Sequence, residues 1–220
     1  MKTQLIAVLA GGLLYALLAG AAEEAAAATA DRISVFKAPL VCPAAPQIGC
    51  GSASKPILLD LERQPGVLEA WLNHAGTRIA VVWKPESDAP TRRRIVAELK
   101  EDHAIELDGK PRDEAVKDFL SGKGWYHGAA VDRLSEEEAD VIAARMVRRL
   151  QAKTVLAKDK AEGLQRALAD AYRQRLTNRI SREQERSRFQ DVAREYLEKD
   201  QIAILKEAIE SGVLPLPNEK

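Results

Sequence analysis

The sequence has few cysteines, few aromatic residues and no excess charge of either sign. Two cysteines in 220 residues exclude a disulfide-dense small scaffold and a four-thiolate zinc site. The 33 basic residues balance 33 acidic ones, whereas a nucleic-acid-binding domain is usually basic. Aromatic residues make up only 5%, so the apolar content is largely aliphatic, which favours helices. A hydrophobic fraction of 46% is still enough to form a core.

The N-terminus has the pattern of an export signal. Lys2 is followed by an uncharged, mostly apolar run over residues 5–22. Residues 28–30 form one candidate cleavage site, of the Ala-x-Ala type, and residues 20–22 form another. A second interpretation is a retained membrane anchor, because the apolar run approaches the ~20 residues that span a bilayer. Both interpretations place residues 31–220 outside the cytoplasm. We therefore expect a periplasmic protein, anchored to the inner membrane if the segment is retained.

Composition divides the chain into three parts. Residues 1–30 form the signal peptide or N-terminal anchor, residues 31–109 contain both strand-like and helix-like runs, and residues 110–220 are highly charged and helix-periodic. The boundary at residue 109 is predicted from Asp108-Gly109, which is typical of a turn, and from Pro111, which disfavours helix in the residue before it.

The first region alternates between the two periodicities. Apolar alternation predicts strands, and apolar residues three and four apart predict helices. A stretch rich in proline and glycine, residues 39–51, is predicted to be a loop. The predicted order is strand 32–37, helix 54–63, strands 67–73 and 77–83 joined by a hairpin turn, helix 91–100 and strand 104–107. This βαββαβ order predicts an α+β fold of ferredoxin-like plan, with an antiparallel sheet and both helices on one face.

The second region is predicted to be a helical hairpin or small bundle. Helices are expected over residues 113–120, from Ser135, over residues 159–178 and from Ser181, with a break near residue 200. Two starts are predicted from capping boxes, in which Ser135 pairs with Glu138 and Ser181 pairs with Gln184. No family resemblance is assigned to this region.

A family resemblance is found in the first region. Residues 55–73 contain a helix-forming run, then Pro-Gly-Val, then a strand that ends in Asn73. This pattern resembles the heavy-metal-associated domain of soft-metal chaperones and metal-pumping ATPases, of the mercury- and copper-chaperone type. Residues 77–83 and 95–107 are similar to its remaining strands and second helix, so the resemblance covers about residues 32–107. It implies a ferredoxin-like fold and the binding of soft metal ions.

The chain departs from the family at the metal-binding loop. The family has Cys-x-x-Cys, and its first cysteine corresponds to Cys50, fifteen residues before Pro65. The second position is Ala53, so the two-thiolate clamp is incomplete. The other cysteine, Cys42, lies in the same predicted loop. Three interpretations stay open: Cys42 and Cys50 bind Cu(I) or Hg(II) together, they form a disulfide, or they are independent thiols.

Two functions are compatible with these observations. The first is an exported, non-enzymatic protein that handles a soft metal ion of the Cu(I) or Hg(II) type through Cys50 and Cys42. The second is a metal-free interaction or scaffold module of the cell envelope, in which the helical region binds a protein partner or a second copy. We expect no enzyme, because the sequence has no nucleophile–base pair and no phosphate-binding glycine loop. Neither function predicts nucleic-acid binding, and membrane contact is expected only through the N-terminal segment.

Overall fold

The computed structural model describes residues 30–108, 112–177, 180–217 and 219. The predicted export signal, apart from Ala30, and the predicted turn at residues 109–111 lie outside the described residues. Among the described helices, none combines the length and the apolar character needed to cross a bilayer.

The fold combines an antiparallel sheet with helices, so the α+β class expected from the sequence is confirmed. Five strands form the main sheet in the order β6-β1-β5-β4-β7, and every neighbouring pair is antiparallel. A separate two-stranded sheet pairs β2 with β3. The strands are β1 (Ile33–Lys37), β2 (Val41–Cys42), β3 (Ala45–Gly49), β4 (Val67–Asn73), β5 (Arg78–Trp83), β6 (Glu106–Leu107) and β7 (Trp125–His127).

Seven α-helices and one 3-10 helix lie within the described ranges. The 3-10 helix (Gly128–Val131) leads directly into α4. The α-helices are α1 (Gly51–Arg63), α2 (Ala89–His103), α3 (Arg112–Leu120), α4 (Asp132–Gln151), α5 (Lys158–Leu176), α6 (Arg182–Tyr196) and α7 (Lys199–Glu210).

Both faces of the main sheet are covered. The central strand β5 is buried along nearly its whole length, and its side chains alternate between the two faces. Ile79 and Val81 pack with α1 and α2 on one face, through Leu58 and Ile95 among others. On the opposite face, Ala80 and Val82 pack with the apolar side of α3. Helices α1 and α2 therefore lie on the same face of the main sheet.

The edge strand β7 of the main sheet lies in the second predicted region, after residue 109. Strand β7 pairs antiparallel with the edge of β4, with Trp71 opposite His127 and Asn73 opposite Trp125. His127 Nε2 also lies 2.9 Å from a carboxylate oxygen of Glu62 on α1. Because a sheet edge leaves backbone groups unpaired, β7 protects β4 from pairing with another chain.

The predicted loop at residues 39–51 is wrong, because most of it is the β2–β3 hairpin. Pro43 and Ala44 occupy the two-residue turn, where the fixed backbone of proline is an advantage. Ala45 and Ile48 are buried in the apolar cluster formed by the C-terminal helices. Burial of the hairpin against those helices therefore outweighs the turn-forming tendency of its proline and glycine residues.

One of the two predicted capping boxes is wrong. Ser135 does not begin a helix: α4 starts at Asp132, and the preceding 3-10 helix continues into it. The side chains of Ser135 and Glu138 are buried instead. At the start of α6 the capping box is present, because Ser181 accepts from the Gln184 amide while the Gln184 side chain accepts from the Ser181 amide.

Candidate metal and thiol site

Three side chains from separate parts of the chain meet beside the β2–β3 hairpin. They are Cys42 at the end of β2, Cys50 immediately before α1, and Glu138 near the start of α4. Their sulfur and carboxylate oxygen atoms all lie within 4.8 Å of one another. Both cysteines are free thiols in the structure. This grouping, which we name the dithiol–carboxylate site, is the only cluster of three or more His, Cys, Asp or Glu ligand atoms of this kind in the described residues.

The hairpin fixes the position of Cys42. It is anchored to the turn between β4 and β5, where the Leu40 amide donates to the Gly76 carbonyl at 3.0 Å and the Gly49 amide donates to the His74 carbonyl at 2.6 Å. The Cys42 side chain is only 1% exposed and belongs to the same apolar cluster as residues of α4. A thiol in this position is shielded from solvent.

Cys50 is the N-cap residue of α1. Its amide donates to the Leu40 carbonyl at 2.7 Å, which ties it to the strand that leads to Cys42. Its backbone is extended, and its Sγ lies 3.5 Å from the hydroxyl oxygen of Ser52. The side chain is half-buried, and the free amides of the first helical turn favour negative charge on the sulfur.

Gly51 allows the start of α1 to lie directly against α4. A Cβ at this position would be 2.4 Å from the Val131 carbonyl oxygen and 2.5 Å from the Ser135 hydroxyl oxygen. An ion pair between Lys55 and Asp132, 2.7 Å from nitrogen to oxygen, joins the same two helices. The close approach brings Cys50 and Glu138 into the same site.

Glu138 is an acidic residue within the core. It is 6% exposed, and its Oε2 atom has no hydrogen-bond partner among the described residues. Its neighbour Glu137 points away and contacts His74 Nε2 at 2.8 Å. A buried carboxylate oxygen without a partner is costly, so a native example calls for an explanation such as a bound ion or a proton.

The three groups shift one another's pKa values. The hydrogen bond from Cys42 lowers the pKa of Cys50 to about 5, and the Ser52 hydroxyl and the Ser52 and Ala53 amides act in the same direction. The pKa of Cys42 is raised well above its usual range by that hydrogen bond, by burial and by the charge of Glu138. Burial, followed by the charge on Cys50, raises the pKa of Glu138 to about 7.

A pH-dependent difference in thiol reactivity follows. In the reduced, folded protein we expect iodoacetamide to modify Cys50 with a rate whose pH midpoint lies near 5, because only the thiolate reacts. Cys42 should stay unmodified because it is 1% exposed. Pulsed alkylation between pH 4 and pH 9, followed by peptide mass spectrometry, measures both rates.

The unfolded protein is the control for this prediction. In denaturant both thiols should react with midpoints near ~8.5, the ordinary value for cysteine. A Cys50 midpoint near ~8.5 in the folded protein as well would contradict the arrangement described here.

The structure brings together both cysteines that the sequence predicts as ligands. It also adds Glu138, which the sequence pattern presents only as a helix-start charge. A signal was present: Glu138 lies four residues after Leu134 and four before Ile142, and both of these are fully buried. An acidic residue on the apolar stripe of a helix indicates a buried carboxylate that needs a partner.

Comparison with protein-family models, curated proteins and solved structures finds no match to this chain. The resemblance to the heavy-metal-associated family therefore stays a prediction. The geometry of the dithiol–carboxylate site carries the functional argument by itself.

Proposed function

We propose that the chain is an exported, non-enzymatic protein that binds a soft metal ion at the dithiol–carboxylate site. The observation that carries the proposal is the convergence of Cys42, Cys50 and Glu138, whose donor atoms lie within 4.8 Å of one another. In this proposal the ion is cargo or ligand of a non-catalytic protein, and the N-terminal segment delivers the chain to the periplasm.

The donor set fits a thiophilic ion. Two thiolates suit Cu(I) and Hg(II), which accept low coordination numbers, and a carboxylate adds a third donor of the kind that Zn²⁺ also accepts. Cys42 supplies the sulfur that Ala53 does not provide in the family's usual spacing. The unpartnered Oε2 of Glu138 gives the site a donor that nothing else in the described residues uses.

The main sheet supports the heavy-metal-associated, ferredoxin-like part of the proposal. Strands β1 and β4 both run antiparallel to β5, which lies between them, so β1 and β4 are parallel to each other. This is the arrangement that a split βαβ unit produces. The β2–β3 hairpin and β7 are additions to that plan.

Anaerobic titration of the reduced full-length protein with Cu(I), in competition with a chromophoric chelator, tests the proposal. We expect one ion per chain in the wild type and loss of high-affinity binding in Cys50→Ser and Cys42→Ser, because each removes a thiolate donor. Glu138→Gln should weaken binding about 10-fold, since it keeps the shape but removes the charged donor.

A double variant tests whether a second thiolate at a different position can replace that of Cys42. Adding Ala53→Cys to Cys42→Ser restores the family's Cys-x-x-Cys spacing at an exposed position of α1 and should recover binding. Ser121→Ala, at an exposed site remote from both cysteines, is the matched control and should bind as the wild type does. Undiminished Cu(I) affinity in Cys50→Ser would overturn the proposal.

The second function expected from the sequence is a metal-free interaction module that binds an envelope protein or a second copy of the chain. It stays a prediction, and the same titration separates the two functions. Failure of the wild-type protein to bind Cu(I), Hg(II) or Zn²⁺ would leave the interaction module as the remaining hypothesis.

A further inference from the structure

We propose that the dithiol–carboxylate site also reduces the disulfide of a small thiol, with Cys50 as the attacking sulfur and Cys42 as the resolving sulfur. The activity needs no metal ion. It therefore goes beyond the metal-binding proposal, and either proposal can fail without the other.

The two sulfur atoms differ in accessibility. Cys50 is half-buried and stands immediately before α1, whereas Cys42 is 1% exposed and lies within the hairpin, at the end of β2. An external disulfide can reach only Cys50. This difference sets the order of attack, because the buried thiol can react only with a sulfur that is already inside the site.

The surroundings of Cys50 stabilise a thiolate. The residue caps a 13-residue helix, whose first amides have no partner within the helix and favour negative charge. The hydroxyl of Ser52 lies 3.5 Å from its Sγ atom. A thiolate held by such donors is the reactive form in disulfide exchange.

Glu138 supplies a proton acceptor for the Cys42 thiol. A resolving thiol must lose its proton before it attacks, and solvent cannot accept that proton directly from a side chain as buried as Cys42. The carboxylate of Glu138 lies within 4.8 Å of both sulfurs, and its Oε2 is free to accept a hydrogen bond. The Glu138 carboxylate can therefore accept the proton of the Cys42 thiol. The amides at the start of α1 stabilise a thiolate but cannot accept a proton.

The reaction balances in two steps. The Cys50 thiolate attacks one sulfur of the external disulfide, forming a mixed disulfide and releasing one thiolate. The Cys42 thiol then transfers its proton to Glu138, and its sulfur attacks Cys50, releasing the second thiolate. The external disulfide is reduced to two thiolates, which take up protons from solvent to become thiols, while Cys42 and Cys50 are oxidised to an internal disulfide. Glu138, which is 6% exposed, then returns its proton to solvent.

The shape of the site favours a small disulfide. Cys50 is only half-buried, but it packs against the apolar cluster, and its sulfur lies within 4.8 Å of the buried Cys42 and Glu138. We therefore expect the disulfide of a small flexible thiol, such as glutathione disulfide, to reach this sulfur more readily than a disulfide held inside a folded protein.

The test mixes reduced, metal-free full-length protein with glutathione disulfide in the presence of a chelator and follows the products by intact-mass spectrometry. The wild type should end as an internal disulfide with two released thiols. Cys42→Ser should accumulate the mixed disulfide on Cys50, and Cys50→Ser should react at least about 100-fold more slowly. Glu138→Gln should form the mixed disulfide at nearly the wild-type rate and close it about 10-fold or more slowly.

Each outcome decides between the proposal and a purely structural explanation. Circular dichroism checks that every reduced variant is folded, and Cys42→Ala replaces Cys42→Ser if the latter is not. Equal rates for Cys50→Ser and Cys42→Ser would overturn the assignment of the attacking sulfur. Failure of the folded Cys42→Ser or Cys42→Ala protein to accumulate the mixed disulfide would overturn the exchange itself. Unchanged closing in Glu138→Gln would overturn the part assigned to the carboxylate, and metal titration of the same proteins remains a separate result.

Discussion

Replacement of Arg149 by Met is expected to destabilise the protein by about 3–5 kcal/mol. Arg149 lies on α4 and is 8% exposed. Its guanidinium holds the C-terminal tail, because it donates to both carboxylate oxygens of Glu219 at 2.6 and 2.7 Å. It also donates to the Gly212 carbonyl at 2.5 Å and the Leu214 carbonyl at 2.7 Å.

The expected loss of stability comes from the hydrogen-bond acceptors that would lose the Arg149 guanidinium as their donor. Methionine fills much of the same volume, so the apolar packing of the stem is largely kept. The Gly212 and Leu214 carbonyls and the Glu219 carboxylate lose a donor, as does the buried Ala208 carbonyl, and an acceptor left both buried and unpaired costs about 1–3 kcal/mol. Arg145 on the same helix still donates to the Val213 carbonyl and lies 3.9 Å from Glu219, so we expect the tail to loosen on α4 without leaving it.

Chemical denaturation of the wild type and the variant measures the loss. Arg148→Met is the matched control, because Arg148 is the exposed neighbour on the same helix, and its replacement should change stability by less than about 0.5 kcal/mol. Glu219→Gln in the Arg149→Met background should cost little more, since only the longer contact of Glu219 with Arg145, at 3.9 Å, remains to be lost. Equal effects of the Arg148 and Arg149 substitutions would contradict this account of the tail.

The same ion pair gives an acid dependence of stability. The hydrogen bond from Arg149 lowers the pKa of Glu219 to about 2, below its ordinary value of 4.5. A depressed carboxylate pKa stabilises the fold above the unfolded value, and this contribution is lost as pH falls from about 4.5 to about 2. Arg149→Met should remove most of that pH dependence in chemical denaturation, because only the Leu216 amide and the charge of Arg145 would still lower the Glu219 pKa.

Replacement of Gly51 by Ala is expected to destabilise the protein by about 3 kcal/mol and to weaken Cu(I) binding at least about tenfold. The added methyl group would meet the Val131 carbonyl oxygen at 2.4 Å and the Ser135 amide nitrogen at 2.9 Å. Both are backbone atoms of the 3-10 helix and α4, which cannot turn aside as a flexible side chain can. The start of α1 must therefore move away from α4, and Cys50 moves away from Glu138.

A second glycine provides the control for this substitution. Gly122 has a positive φ of 69°, but a methyl group added there would have no atom of the described residues within 4 Å. Gly122→Ala therefore adds backbone strain of about 1 kcal/mol without a clash, and it should bind Cu(I) as the wild type does. Thermal denaturation and the chelator competition together separate the two effects. Unchanged stability and metal affinity in Gly51→Ala would show that α1 and α4 are less closely fitted than described.

The predictable part of the fold is the part in which local pattern and burial agree. The β4–β5 hairpin is predictable because apolar alternation on both sides of Gly76 matches the two faces of the sheet, and Gly76 has the positive φ that the turn requires. Helix α1 is predictable because Ile57, Leu58 and Leu61 form the stripe that packs on the sheet. In both cases tertiary packing strengthens the local preference.

The local sequence pattern does not predict where a helix begins when the residues before it are already helical. Ser135 and Ser181 stand in the same sequence pattern, yet only Ser181 caps a helix. Before Ser135 the chain is already helical, so the amides that a cap would bind are paired, and the serine is carried into the interface with α1. The packing of this part of α4 against α1 also buries Glu138. The meeting of Cys42, Cys50 and Glu138 depends on packing between distant segments, which periodicity does not encode.

The spacing of these three residues along the chain has a consequence for folding. Cys50 and Glu138 are separated by 88 positions, and the hairpin, the sheet and the start of the helical cluster are all linked through this point. Any bridge between them acts as a cross-link that closes a loop over the middle of the chain, residues 50–138, and chain-entropy arguments value a loop of that length at roughly 4–5 kcal/mol. An occupied dithiol–carboxylate site would thus cross-link distant segments of the chain in addition to binding its ligand. An ion bound by all three residues would therefore couple the unfolding of the segment around α1 to that of α4.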